Sequence, residues 1–261
     1  MKIALLISTY NWPQALELVL LSLKKQSLKP DEVLIADDGS TEETKALIED
    51  FQKKCTFPIR HFWHEDKGFR RSLILNKAIA GSTSDYIIQT DGDCIMHRDF
   101  VKDHTAMKEP KTHLYGSRVN IQEDFLQELF SKKKIRFGFF SKGIKKRTRN
   151  LRVPLFASFY GKRKELSKKL RGCNLSFWRD DFIAVNGYNE DIEGWGREDS
   201  EMVTRMINNG VMGKRLRYRG IIYHIWHKTA NQSRFEINDS LQKMAIENKS
   251  TWCENGIDKY L

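Results

Sequence analysis

Residues 86–93 read Tyr-Ile-Ile-Gln-Thr-Asp-Gly-Asp. An apolar run that stops on two carboxylates flanking a glycine is the pattern of a buried strand with polar groups gathered at its C-terminal end. Two acids one residue apart can both face a divalent cation and its phosphates, and Mg²⁺ and Mn²⁺ favour such oxygen ligands. Asp-Gly-Asp is also an ordinary surface turn, so its neighbours decide. Toward the N-terminus the same pattern recurs. Ile3–Ile7 reads as a strand ending at Ser8-Thr9-Tyr10-Asn11, and Val33–Ala36 as a strand ending at Asp37-Asp38-Gly39-Ser40. Ile59–Trp63 is a further strand. Helices fall between them. One starts near Pro13, with Leu16, Val19, Leu20 and Leu23 at three- and four-residue spacing. A second is opened by Ser40 and Glu43 as a capping box and runs to about Phe51, and a third spans Arg70–Ala80. This alternation predicts an α/β fold with a mostly parallel sheet covered by helices. In such sheets ligands bind at the strand C-terminal ends, where three polar clusters meet here.

After about Asn120 the pattern dissolves, and it resumes near Gly172. Cys173–Trp178 then reads as a strand, Arg197–Asn209 as a helix closed by Gly210, and Gly220–Trp226 as another strand. The net charge of +11 is local. Residues 131–171 hold sixteen Lys or Arg against one acid, Glu165, a net of +15, so the remainder of the chain carries −4. These cations are interleaved with Phe137, Phe139, Phe140, Leu151, Leu155, Phe156, Phe159 and Tyr160. The segment fits a solvated insert or a patch docking on an anionic membrane, where each Lys or Arg gains about 1 kcal/mol. It carries no recognisable nucleic-acid motif, and no nucleic acid is expected.

The length of 261 residues and 40% hydrophobic content suit one domain, with a nucleotide-binding half (1–110), a basic aromatic-laced insert (111–170) and an acceptor and catalytic half (171–261). The N-terminus runs straight into a strand, no window approaches about 18 consecutive apolar residues, and the four cysteines show no CxxC spacing. The expectation is a cytoplasmic chain with reduced thiols, peripheral at most on the inner face of the cell membrane. Neither GxGxxG nor GxxxxGK occurs, which disfavours a Rossmann dinucleotide site and a P-loop.

Taken in order, Ser8-Thr9-Tyr10-Asn11, Asp37-Asp38-Gly39-Ser40, Lys67-Gly68-Phe69-Arg70-Arg71 with Asn76-Lys77, and Asp91-Gly92-Asp93 resemble the family 2 glycosyltransferases of the GT-A fold. Arg171–Trp178, Asn186–Glu190 and Gly194-Trp195-Gly196-Arg197-Glu198-Asp199-Ser200-Glu201 resemble the C-terminal part shared by galactosyltransferases and chondroitin-polymerase-like enzymes. The resemblance covers residues 1–110 and 171–228 and leaves out the basic segment. It implies an inverting, metal-dependent transfer of a hexose or N-acetylhexosamine from a UDP-sugar to a hydroxyl of a saccharide or lipid-linked saccharide, as in lipopolysaccharide or capsule assembly. Asp37 and Asp38 would hold the uracil and ribose, with Thr9, Tyr10, Asn11, Lys67 and Gly68 beside the donor. Arg71 would meet the diphosphate or the base-binding acid, and Asp91 the ribose or sugar. Asp93 would bind Mn²⁺ or Mg²⁺, with His224 or His227 as a second ligand. Gly194-Trp195-Gly196 would face the sugars, and Asp199, with Glu198 beside it, would be the catalytic base.

The residues themselves leave plainer readings open. Acids in a helix's first turn suit the helix dipole, and a half-buried histidine in a strand is unremarkable. If residues 223–227 are extended, His224 and His227 point to opposite faces and cannot both ligate. A nucleotidyltransferase and a non-catalytic protein that binds through its basic segment are the rival functions. The first would need a phosphate-gripping loop after the first strand, which Ser8-Thr9-Tyr10-Asn11-Trp12-Pro13 is not.

Overall fold

The strand Ile3–Thr9 (β1) is buried along its whole length, and the computed structural model, which describes residues 1–228 and 231–261, builds the fold around it. On one side it pairs in parallel with Glu32–Asp37 (β2), which pairs with Ile59–Trp63 (β3). On the other side it pairs in parallel with Tyr86–Asp91 (β4). Near-continuous Val, Ile and Leu runs are what a parallel sheet covered on both faces requires. Alternate residues point to opposite faces. Leu5, Ile7, Val33 and Ile35 pack with the helices Pro13–Lys24 (α1) and Glu42–Lys54 (α2). Leu6, Leu34 and Ile87 meet Arg71–Ala80 (α3) on the other face. The register sets Thr9 opposite Asp37 and Ser8 opposite Asp91, which aligns the polar strand ends along one edge.

Beyond β4 come Cys94–Met96 (β5), Phe100–Met107 (α4), Thr112–Gly116 (β6) and Arg118–Ile121 (β7). Leu126–Ser131 (α5), Ile144–Lys145 (β8), Pro154–Ala157 (α6) and Lys162–Arg163 (β9) follow. Leu175–Trp178 (β10), Arg179–Ile183 (α7), Glu198–Asn208 (α8), Met212–Leu216 (β11), Ile222–His224 (β12) and Phe235–Glu247 (α9) complete the regular elements. The large sheet runs β3-β2-β1-β4-β10-β6-β11-β9, with β10 antiparallel to both its neighbours. A smaller sheet, β5-β12-β7-β8, stands beside the cluster of strand ends. This is the mixed α/β architecture of the GT-A fold.

Three local expectations are corrected. Ser40 does not cap α2: Thr41 precedes the helix and no side chain caps it, while the Ser40 hydroxyl accepts the Asn11 N–H at 2.8 Å. The stretch after Asn120 does not dissolve. Phe125, Leu129, Phe137 and Ile144 join Val119, Ile121 and Tyr223 in a separate buried cluster, and Tyr223 donates its hydroxyl to Asn150 Oδ1 at 2.6 Å, with the Phe137 carbonyl 3.1 Å away. The strand expected over Gly220–Trp226 shrinks to Ile222–His224, since the chain leaves the small sheet once Ile225 N–H has bonded to the Asp93 carbonyl at 2.9 Å. Among the described residues no helix is long and apolar enough to cross a membrane.

Candidate active site

The ends of β1 and β4, the start of α8 and the edge of the small sheet surround a cavity of about 1500 Å³. That exceeds the roughly 300–1,000 Å³ of most small-molecule sites and leaves room for two ligands side by side. Of the residues singled out by sequence, Thr9, Tyr10, Asp38, Arg71, Asp91, Asp93, Trp195, Gly196, Glu198, Asp199, His224 and His227 line it. Asn11, Asp37, Lys67, Gly68 and Gly194 do not. Gly194 borders a small adjoining cleft with Phe69 and Arg234.

Arg71, at the first position of α3, ties three elements together. Its guanidinium donates to Asp91 Oδ1 at 2.9 Å, Glu198 Oε1 at 3.3 Å, Asp199 Oδ1 at 3.2 Å and the Ser8 hydroxyl at 3.4 Å. One buried cation thus serves three carboxylates. The imbalance falls on Glu198: burial first, then the neighbouring Asp199, push its carboxyl up to about 7 despite Arg71. Burial also raises Asp91 above the usual carboxylate range, against the pull of Arg71.

Asp199 is held from one side. Arg71, Gln89 Nε2 at 3.4 Å and the Tyr188 hydroxyl at 3.1 Å, whose one proton is shared with Gln89 Oε1 at 2.8 Å, all donate to its Oδ1. Among the described residues Oδ2 accepts no hydrogen bond. A side chain at Gly172 would place its Cβ 2.0 Å from that oxygen, so only glycine lets the β10 entry approach the carboxylate. The loop before α8 depends on glycine for another reason. Gly196 and Arg197 both have positive φ, at 106° and 78°, and Glu198 Oε2 accepts the Gly196 N–H at 3.0 Å. Trp195 stacks on Phe235 of α9 with centroids 6.2 Å apart, and Asn238 donates to the Glu193 and Gly196 carbonyls. Glu201, in the same acidic run, serves the scaffold instead. It pairs at 2.7 Å with the fully buried Arg205, which donates to the Gly187 carbonyl and so braces the loop carrying Tyr188.

At the small sheet, His224 lies opposite both Cys94 and Asn120 in register, which sets it beside Asp93. Because the strand ends there, the chain bends and His227 returns to the same carboxylate. Asp93 Oδ2 lies 3.2 Å from His227 Nε2 and 3.5 Å from His224 Nε2. The expectation that the two imidazoles diverge is therefore corrected: both converge on Asp93. The donor set fits a divalent cation. His227 Nδ1 meets the Lys228 carbonyl at 2.7 Å, the outer bond that leaves a ligating imidazole's Nε2 lone pair facing inward. Burial pushes His224 down to about 4 and keeps it neutral. Without a cation His227 instead gives a proton to Asp93: that hydrogen bond raises His227 and, against burial, holds Asp93 below the usual range, so a metal taking the Nε2 lone pair would displace this proton. A carboxylate with two imidazoles is a mixed oxygen and nitrogen donor set of the kind that divalent metals take. A second group, Asp91, Cys94 and Cys173, also comes together, but its thiols are buried in the core and Asp91 is committed to Arg71 and Ser8.

At the opposite end, Asp38 accepts hydrogen bonds from the Arg70 N–H at 3.0 Å and meets His64 at 2.7 Å, and the Tyr10 hydroxyl donates to Asp66 at 2.8 Å. Burial raises the Asp38 carboxyl. Asp37 is fully buried beneath this floor, accepting the Ser40 N–H at 2.8 Å and meeting His61 at 2.9 Å. Asn11 braces the same turn by accepting the Thr41 N–H. Lys67 is exposed and pairs with Glu65, and Gly68 caps Asp66 through its N–H. Sequence reasoning passed over Gln89, Tyr188 and Gly172 as site residues. Gln89 had a signal, an amide in an otherwise apolar strand; Tyr188 and Gly172 had none outside the motifs that contain them.

Comparison with known proteins bears on this geometry. The family model "Glycosyl transferase family 2" matches residues 4–169, and "N-terminal domain of galactosyltransferase" matches residues 154–228. The basic segment, left out of the resemblance read from sequence, falls inside these spans. A validoxylamine A glucosyltransferase of Streptomyces hygroscopicus subsp. limoneus is 24% identical over 224 residues, 80% of this chain and 48% of the relative. The chain spans about half the length of that relative. Among solved structures, Staphylococcus aureus TarS 1–349 in complex with UDP superposes with TM-score 0.63 at 17% identity, covering 95% of this chain and 66% of that one. The mannosyltransferase PcManGT from Pyrobaculum calidifontis, in complex with GDP-Man and Mn²⁺, superposes with TM-score 0.61 at 15% identity, covering 95% and 63%.

Proposed function

The chain belongs to glycosyl transferase family 2, and on that premise we propose that it is an inverting, metal-dependent transferase. It moves a hexose or N-acetylhexosamine from a UDP-sugar to a hydroxyl of a saccharide or lipid-linked saccharide in the assembly of a bacterial-type surface glycan, such as a lipopolysaccharide or capsule. The observation that carries the reading is Asp199, oriented through one oxygen by three donors and open at the other, in the same cavity as Asp93, His224 and His227. The UDP and GDP-Man complexes of the structural neighbours support a nucleotide-sugar donor.

The nucleotide lies across the ends of β1 and β4, with the base toward Thr9 and Asp38 and the ribose toward Asp91. Asp93, His224 and His227 would hold Mn²⁺, which when bound supplies Lewis-acid stabilisation of the departing diphosphate. Trp195 and Gly196 hold the sugars against the α8 entry. The acceptor hydroxyl attacks the anomeric carbon as the bond to the diphosphate oxygen breaks; its proton passes to Asp199 Oδ2, and UDP leaves. General-base help of this kind contributes about 10²–10⁴-fold. Tyr188, Gln89 and Arg71 fix the carboxylate so that no reorganisation is needed during transfer. The chain works in the cytoplasm, resting on the inner membrane face through its basic, aromatic segment. The rival readings lose ground because neither a nucleotidyltransferase nor a binding protein needs an oriented, half-free carboxylate beside the cation ligands.

The test is UDP release from a panel of UDP-sugars with and without Mn²⁺ and acceptor, for wild type, Asp93→Ala and Asp199→Asn. Asp93→Ala loses metal-dependent release; Asp199→Asn keeps UDP and Mn²⁺ binding but transfers at least about 100-fold more slowly. Full activity in Asp199→Asn would remove that residue as the base, and failure of the wild type to bind UDP would remove the function.

A further inference from the structure

We propose that the cavity wall beside Asp199 recognises a phosphate group carried by the acceptor. This rests on the transferase reading above and names its acceptor class. Arg118 of β7, Lys145 of β8, and Lys168 and Arg171 before β10 all line the cavity. Within the basic segment Lys132 pairs with Glu128, Lys133 with Glu17, Arg152 with Asp103 and Lys162 with Glu109, and none of these four paired cations lines the cavity. Among the described residues, no carboxylate comes within ion-pair distance of the four that face the cavity. Behind them, burial and then repulsion from the surrounding arginines hold Lys146 and Arg149 below their ordinary ranges. Arg118 is offset by Asp93 and the Cys94 and Cys173 sulfurs, but Lys145, Lys168 and Arg171 have no such counter-charge; cations gathered in this way repel one another, and a bound anion relieves that cost. Guanidinium forks combined with ammonium point charges match the several oxygens of a phosphate.

Position separates this wall from the donor. Arg171 immediately precedes Gly172, which abuts Asp199 Oδ2, the oxygen that on the transferase reading takes the acceptor's proton. Arg71 and Asp91 stand on the Oδ1 side. An anion held by Lys145, Lys168 and Arg171 therefore lies on the acceptor's side of the base.

The experiment is calorimetry in two stages. UDP is titrated first, with Mn²⁺, into wild type and the double variant Lys145→Gln/Lys168→Gln, both exposed side chains whose loss spares the core. The UDP-saturated proteins then receive octyl phosphate or a hexose 1-phosphate, with octyl glucoside and a methyl hexoside as neutral counterparts. We expect a phosphorylated probe to bind wild type at least about tenfold more tightly than its neutral counterpart, and the double variant to lose about that factor, as expected for lost charged hydrogen bonds, with UDP affinity within about twofold of wild type. Preference for octyl phosphate assigns the phosphate to a lipid, and preference for the hexose phosphate to the saccharide. Equal binding of charged and neutral probes would overturn the proposal, as would a matching fall in UDP affinity, which would give these cations to the donor diphosphate. Phosphate preference without any UDP binding would instead defeat the transferase reading.

Discussion

Arg71 faces Asp91, Glu198 and Asp199 within 3.3 Å, and no arrangement of one cation can neutralise all three acids. Glu198 absorbs the excess by holding its proton up to about 7, against an ordinary 4.5. Between those values the folded chain binds more protons than the unfolded one, so stability falls as pH rises. The contribution is fully present below about 4.5 and gone once pH has passed about 7; by size it is of the order of 3 kcal/mol. Urea unfolding at pH 5 and pH 8 should show wild type losing stability on this account and Glu198→Gln losing much less. Equal losses in the two proteins would mean that Glu198 is charged throughout. Arg71 and the acids were legible in the sequence as motif residues. That they form a single knot was not, because α3, β4 and α8 are far apart in the chain and meet only through the sheet.

At the level of elements, the geometry around Asp199, the proposed base, depends on close approaches that no propensity reveals. The turn Gly172–Asn174 packs directly on the first turn of α8, and the gap left by the absent side chain at Gly172 is occupied by the Asp199 carboxylate. Gly172→Ala should displace that carboxylate from Tyr188 and Gln89. We expect a stability loss of about 1–3 kcal/mol, the usual cost of forcing extra volume into a packed site, with transfer reduced at least about 100-fold, the lower end of a lost general base. Thermal unfolding and initial rates measure the two effects, and an Ala variant with wild-type turnover would show that the contact does not position the base. The histidines teach a related lesson. A spacing of three in an extended strand separates two side chains, but β12 ends at His224, and the bend that follows reverses the expectation.

Across the whole molecule, the apolar residues of the basic segment are divided between the core and the surface. Phe137 and Ile144 are core, whereas Leu155, Phe159 and Phe140 are 75%, 79% and 90% exposed. Phe156 and Phe159 lie 6.2 Å apart, beside Tyr218 with the Arg217 guanidinium 4.6 Å over its ring. An exposed aromatic surface beside an arginine suits the headgroup region of an anionic membrane. Cutting out the segment would remove core residues, so point changes are the proper probe. Leu155→Ser/Phe156→Ser/Phe159→Ser should lower binding to phosphatidylglycerol-containing vesicles by about tenfold or more, since burying each such side chain is worth about 1.5–3 kcal/mol, with unfolding behaviour unchanged. Sedimentation with vesicles reads this directly, and undiminished binding would rule the patch out as the docking surface.

The sequence by itself determined the alternation of strands and helices, the gathering of Thr9, Asp38 and Asp91 at one sheet edge, and the family resemblance, because periodicity and turn chemistry act over a few residues and are written in composition. Only the tertiary structure decided which acids face the cavity and which serve the scaffold. Asp37 and Glu201 sit in the same acidic runs as Asp38 and Asp199, yet pair with His61 and Arg205 inside the fold. It also decided that both histidines converge on Asp93 and that the basic segment forms a wall of the site. These are contacts between distant parts of the chain, set by register and packing, and a local pattern holds no information about which partner a buried charge will find.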